Sequence, residues 1–93
     1  MRFDWDQKKA ESNKTKHGIG FEDVLGLFFS HDTLHEDTTC FEETRLKALG
    51  YVHGVLVFVV YTLRDEEIVR LISARRASRE ERKHYDAVHH RDS

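Results

Sequence analysis

The stretch VLVFVVY at residues 55–61 constrains this chain more than any other. Its valines and aromatics crowd a helical turn and fit a pleated, half-buried surface. The run predicts a central β-strand. IVRLISAR, residues 68–75, follows as the next strand after a charged hairpin connection at 63–67. Upstream, residues 44–52 alternate loosely around Leu46, Ala48 and Leu49, with turn chemistry from Gly50 to Gly54. Residues 33–40 are polar with Thr and one Leu, and read as an edge strand or a loop.

Helix signals flank this sheet. Residues 6–17 read as a polar helix that Asp6 caps and Gly18 ends. Phe21, Val24, Leu25 and Phe28 recur at i, i+3, i+4 and i+7, the stripe of a short amphipathic helix. Ser78 with Glu81 three residues on forms a capping box that opens a last helix toward His89. The order predicts an α+β domain spanning 1–93: two N-terminal helices, a three- to four-stranded antiparallel sheet and a C-terminal helix. Residues 86–93 are expected to be a frayed tail.

A chain of 93 residues buries only roughly 60% of its unfolded surface, so a partner is expected to supplement its core. No apolar run reaches the roughly 20 residues that span a bilayer. MRFDWDQKK carries no apolar stretch after its charge, so no secretory leader is expected. The lone Cys40 has no companion for a disulfide or a metal knuckle, which favours a reducing cytoplasm. Seven histidines raise a metal site, yet their spacing is poor. His31 and His35 fall in a loop, His84, His89 and His90 lie at the C-terminus, and HExxH is absent. No metal or cofactor is expected. Phosphate-binding Gly-rich loops, a G-x-S-x-G elbow and a Cys/His nucleophile pair are also absent, which excludes most common enzyme classes.

Charge is sorted along the chain. The net value of −2 argues at first against nucleic acid. Residues 22–43, however, carry Glu22, Asp23, Asp32, Glu36, Asp37, Glu42 and Glu43 with no Lys or Arg, a net −7. Residues 68–83 carry Arg70, Arg75, Arg76, Arg79, Arg82 and Lys83 against Glu80 and Glu81, a net +4. Such a patch can hold a polyanion on an otherwise acidic protein; the alternative is that the two segments lie against each other.

The arginines are the strongest chemical signal, because a permanently charged planar fork suits phosphate. Regular alternation over 68–76 would place Val69, Leu71, Ser73 and Arg75 on one face and Arg70 and Arg76 on the other. The arginines converge only if a bulge or the strand end re-aims them. Arg79, Arg82 and Lys83 are either phosphate contacts or the solvated side of a helix. Lys16 and His17, before Gly18, either complement a helix dipole or supply a cation and a titratable base. Trp5 either plugs the core or stacks on bases, and Tyr85 belongs to the core or to a site rim.

Four stretches together resemble one family: FDWDQKKAESNKTKHGIGFEDV at 3–24, E-T-R-x-x-x-L-G at 43–50, VLVFVVYT at 55–62 and IVRLISARRASREERKHY at 68–85. The chain is similar to the BrnT family of small ribonuclease toxins from type II toxin–antitoxin systems. That resemblance implies a RelE-like fold, metal-free RNA cleavage that stops translation, and no cofactor. It also implies a BrnA-like ribbon-helix-helix antitoxin in a heterotetramer that represses its own operon, with operator DNA met only through the antitoxin. The matching positions are Lys16, His17, Glu43, Arg45, Arg70, Ser73, Arg75, Glu81 and Tyr85. Arg70 and Arg75 are assigned to the scissile phosphate, Lys16 or His17 to acid–base work with Glu43 as a competing base, and Tyr85 to stacking or orientation. Arg45, Ser73, Arg76, Arg79 and Arg82 are taken as RNA contacts. The competing reading is a non-catalytic module that binds nucleic acid or antitoxin through 68–83.

Overall fold

In a computed structural model of the chain, residues 1–37 and 45–90 are described. The order is β1 (Arg2–Asp4), α1 (Gln7–His17), a 3₁₀ segment (Phe21–Phe29), β2 (Leu34–Asp37), β3 (Leu46–Val52), β4 (Val55–Arg64), β5 (Ile68–Arg76) and α2 (Arg79–His89). The strands form one sheet in the order β1-β5-β4-β3-β2.

The apolar run is the middle strand, as expected, because both of its faces are covered. Val57, Val59 and Tyr61 join one buried cluster with Phe21, Val24, Leu27, Ala48, Val69, Leu71 and Ala74. Leu56 and Phe58, pointing the other way, join a smaller cluster with Leu49 and Tyr85. Alternation along a single strand thus serves two cores.

Two expectations are corrected. The sheet has five strands among the described residues and is mixed, because β1 runs parallel to β5 with Phe3 opposite Val69. Three residues before a capped helix carry too little periodicity to announce a strand. The second helix is 3₁₀, not α. Its fully buried residues are Phe21, Val24 and Leu27, a spacing of three that eclipses on a three-residue turn. Gly26 inside the segment also weakens the α alternative. Gly50 on β3 admits this close approach, since a Cβ there would meet Leu27 Cδ2 and Thr33 Oγ1 at 2.8 Å. The last helix reaches His89 as read, its ring stacked on Tyr85 at 3.9 Å, and residues 91–93 of the expected tail lie outside the described residues.

Helix α1 begins and ends where its caps were read. Asp6 accepts from the backbone N–H of Lys8 and Lys9 at 2.8 and 3.2 Å, and Gly18 closes the helix at φ 73°. Only Ala10 and Asn13 of this helix are buried. Asn13 is the anchor: its Nδ2 donates to the Ala74 and Ile19 carbonyls at 2.8 and 3.1 Å, and its Oδ1 accepts from the Ala74 N–H at 3.1 Å. Beyond the short β1, an amide side chain therefore stands in for a strand against the edge of β5. No helix among the described residues is long and apolar enough to cross a membrane.

Candidate functional site

A bulge decides where the arginines point. Val60 pairs with Ser73 and Tyr61 with Leu71, so Ile72 is the extra residue of β5. Past it the alternation flips, and Ala74 joins Val69 and Leu71 in the larger core. Arg75 consequently shares with Arg70 the opposite face, toward α2. The regular alternation read from 68–76 is corrected, and the condition it named for convergence is met.

Both arginines are held by carboxylates. Arg70 Nη1 donates to Asp4 Oδ2 at 2.5 Å across the β1–β5 pair. Arg75 makes a two-pronged contact with Glu81, Nη1 to Oε1 at 2.8 Å and Nη2 to Oε2 at 2.9 Å. Its guanidinium lies 4.3 Å from the centroid of the Phe58 ring, opposite it on β4. Glu81 also accepts from the Ser78 N–H at 2.8 Å, closing the capping box, while Ser78 Oγ accepts from the Glu81 N–H at 3.2 Å. One carboxylate therefore starts α2 and holds Arg75 over the Phe58 ring. The hydrogen bonds that Arg75 donates to Glu81 raise its pKa. Burial works to raise that of Glu81, but the Arg75 fork and the Ser78 N–H outweigh it and hold the carboxyl below its ordinary range.

Beside this clamp lies a groove of about 190 Å³ lined by Leu34, Glu36, Lys47, Leu49, Phe58, Glu80, Glu81 and His84. Its floor is apolar and its walls carry both signs of charge. Lys47 Nζ stands 5.7 Å from the Phe58 centroid, and His84 Nε2 meets Glu36 Oε1 at 2.5 Å. Sequence reasoning assigned nothing to Glu36, Lys47 or His84. The available signal was the spacing of Glu80, Glu81 and His84, which share one side of a helix.

The other expected residues fall elsewhere. Lys16, His17 and Ser73 line a shallower depression of about 220 Å³ with Lys9, Ser12, Asn13 and Ile72, where α1 meets the edge of β5. Tyr85 is 6% exposed and packs with Leu49, Leu56 and Phe58. Burial, and next the charge of Asp32, raise its pKa. Trp5 meets Phe21 edge-on at 6.0 Å, which places it against the core. Arg76 and Arg79 are exposed near the start of α2, and Arg82 Nη1 donates to the Tyr51 hydroxyl at 3.3 Å. Arg45 is half-buried just before β3, and Glu43 lies outside the described residues, as does Cys40. Among the described residues, no three His, Cys, Asp or Glu side chains gather as metal ligands.

The family model described as "Ribonuclease toxin, BrnT, of type II toxin-antitoxin system" matches residues 5–81. The chain belongs to the BrnT family. It is similar in structure to the Brucella abortus ribonuclease toxin BrnT, with a TM-score of 0.67 and 30% identity, covering 85% of this chain and 99% of that one. No curated relative matches at a significant level. The α+β fold, with three helical segments and a five-stranded mixed sheet among the described residues, is thus that of a BrnT-family ribonuclease toxin. Membership implies an RNA target and an antitoxin partner.

Proposed function

We propose that this BrnT-family toxin cleaves RNA without a metal ion, on the sheet face that carries Arg70 and Arg75. The observation that carries the reading is the Arg75 clamp. A guanidinium fixed by two hydrogen bonds to Glu81 and set over the Phe58 ring is preorganised. It meets a phosphate without first losing rotamer freedom, and it stays charged throughout. Metal-free cleavage removes the proton of a ribose 2′-hydroxyl, forms the bond from that oxygen to phosphorus and breaks the bond to the 5′-oxygen, which takes a proton. The products are a 2′,3′-cyclic phosphate and a 5′-hydroxyl.

Arg75 meets the charge that develops on the phosphoryl oxygens, and Arg70 holds a neighbouring phosphate once RNA competes with Asp4. Lys16, His17 and Ser73, on the edge of β5, together with Arg45, Arg76, Arg79 and Arg82, extend the track for the RNA strand. In the cytoplasm, a BrnA-like ribbon-helix-helix antitoxin covers this face in a heterotetramer, and the complex represses its operon through the antitoxin's contacts with operator DNA.

The test is cleavage of an RNA oligonucleotide by purified protein. Arg75→Ala is expected to lose about 10²–10³ of the rate, the usual cost of removing one preorganised transition-state donor. Cleavage is expected to survive EDTA and to leave a cyclic phosphate. Undiminished cleavage by Arg75→Ala, or loss in EDTA that a divalent ion restores, overturns the mechanism. Normal bacterial growth on induction of soluble toxin alone would instead favour a binding module.

A further inference from the structure

We infer that His84, held by Glu36, is the general base of the groove beside Arg75, an inference that rests on the ribonuclease reading. The geometry is that of a base and its orienting carboxylate. Nε2 of His84 meets Oε1 of Glu36 at 2.5 Å. A neutral imidazole donating from Nε2 to this carboxylate leaves the lone pair of Nδ1 as its acceptor. The two side chains are 51% and 48% exposed, so a ribose hydroxyl can reach them.

The surroundings complete the site. The groove has Phe58 and Leu49 as an apolar floor on which a base or a sugar can rest, and Lys47 opposite Glu36 in the β2–β3 register. Phe58 joins the halves, because its ring lines the groove and carries the Arg75 guanidinium. Base, ammonium and phosphate-binding fork are therefore set around one aromatic ring. The charged groups facing His84 are Glu36 from β2, Lys47 from β3, and Glu80 and Glu81 from α2. Glu81 is committed to Arg75 and Ser78 and does not compete as base. His17 lies with Lys16 and Ser73 in the depression at the edge of β5, and no carboxylate meets its ring among the described residues.

In the reaction, Nδ1 of His84 takes the 2′-hydroxyl proton as that oxygen bonds to phosphorus. The 5′-oxygen leaves and takes a proton from water, and His84 returns its own to solvent. Protons balance and no further reactant is needed.

Cleavage of an RNA oligonucleotide, followed from pH 5 to pH 9, tests the assignment. His84→Ala is expected to lose about 10²–10⁴ of the rate, the range of one general base, and to recover part of it in buffer containing imidazole. Glu36→Gln is expected to lose about tenfold, a loss larger than its effect on RNA binding, since an oriented base acts on turnover. His84→Asn keeps a polar group of similar reach, and its circular dichroism separates lost chemistry from lost folding. A folded His84→Ala that cleaves within twofold of wild type with the same pH profile, while Arg75→Ala is inactive, overturns the base and leaves the ribonuclease reading standing. A rate loss in His84→Ala that imidazole does not restore, with RNA binding lost in proportion, makes His84 a binding residue and overturns it as well. Wild-type protein that cleaves no RNA sinks the reading, and the base with it.

Discussion

The two faces of this sheet are built from the same strands and serve opposite ends. The face under α1 and the 3₁₀ segment is closed: Phe21, Val24 and Leu27 lie against Ala48, Val57, Val59, Val69, Leu71 and Ala74. The face toward α2 has a small apolar cluster around Phe58 and Tyr85, flanked by Arg75, Lys47, Glu36, Glu81 and His84. Stability is concentrated on the first and the proposed chemistry on the second. The division turns on the residue between Leu71 and Ser73. Without the bulge at Ile72, Ala74 would face α2, and Arg75 would be driven into the closed core.

The sharpest way to break this contrast is to damage each face alone. Phe21 is 0% exposed on the closed side, and Phe21→Ala is expected to cost about 3–5 kcal/mol of stability. Against the roughly 5–15 kcal/mol of an ordinary domain, that leaves little or no fold. Denaturant unfolding measures the loss, and cleavage should fall only in step with the folded fraction. An equal stability loss from Arg75→Ala would erase the division between the faces.

Asn13 tests the seam between them. It is 7% exposed and makes three hydrogen bonds, two to the backbone of Ala74. Asn13→Ala leaves that buried N–H and carbonyl unpaired, for about 1–3 kcal/mol. Asn13→Asp keeps the acceptor but faces the Ala74 carbonyl with a carboxylate, and it should be no better. Thermal melts of the two variants check the ordering. Because α1 brings Lys16 and His17 to the edge of β5, RNA affinity should fall with the anchor.

How far the sequence foretold this arrangement depends on the signal each part carries. The middle strand, both caps of α1 and the Ser78–Glu81 box are local patterns, legible over a few residues, and they stand where they were read. The parallel β1 was invisible because its partner lies more than sixty positions away, and three residues have no period. The helical stripe at Phe21 failed on a small numerical distinction: spacings of three and of three or four coincide until Leu27. Arg70 and Arg75 were legible as chemistry, but their shared face depended on a bulge that no local pattern announces. His84, Glu36 and Lys47 meet only once α2 crosses β2 and β3, so their joint meaning is tertiary. Tyr85, matched by family motif, also belongs to the smaller core, a placement that only packing decides.

Smaller effects sharpen the contrast on the open face. Ser78→Ala removes the cap of α2, an expected loss of about 1 kcal/mol. It also frees one of the groups that hold Glu81 beside Arg75. Cleavage should therefore weaken beyond the loss in folded protein, and Ser78→Thr, which keeps the hydroxyl, should restore both. A melting temperature that falls while specific activity stays constant would separate the cap from the clamp.

The mildest probe is acid, which addresses the faces in turn. On the closed side, His35 Nδ1 lies 2.8 Å from the Tyr61 hydroxyl, its ring against Phe28, and desolvation lowers its pKa from the ordinary 6.5. On the open side the Glu81 carboxyl is held below its ordinary 4.5. A group depressed by folding stabilises the protein above its unfolded value, and loses that contribution as pH falls toward the folded one. Stability should thus decline first below about pH 6.5, as His35 takes up a proton more readily unfolded than folded, and again below about pH 4.5, as Glu81 does the same. His35→Gln should remove the first decline and leave the second, while Glu81→Gln should do the reverse. Both groups are partly open to solvent, so each step is small and best read as the difference between wild-type and variant melting curves across pH. If both declines vanished in a single variant, the two faces would be one titrating unit, and the separation between a closed core and an open chemical face would fail at its most sensitive point.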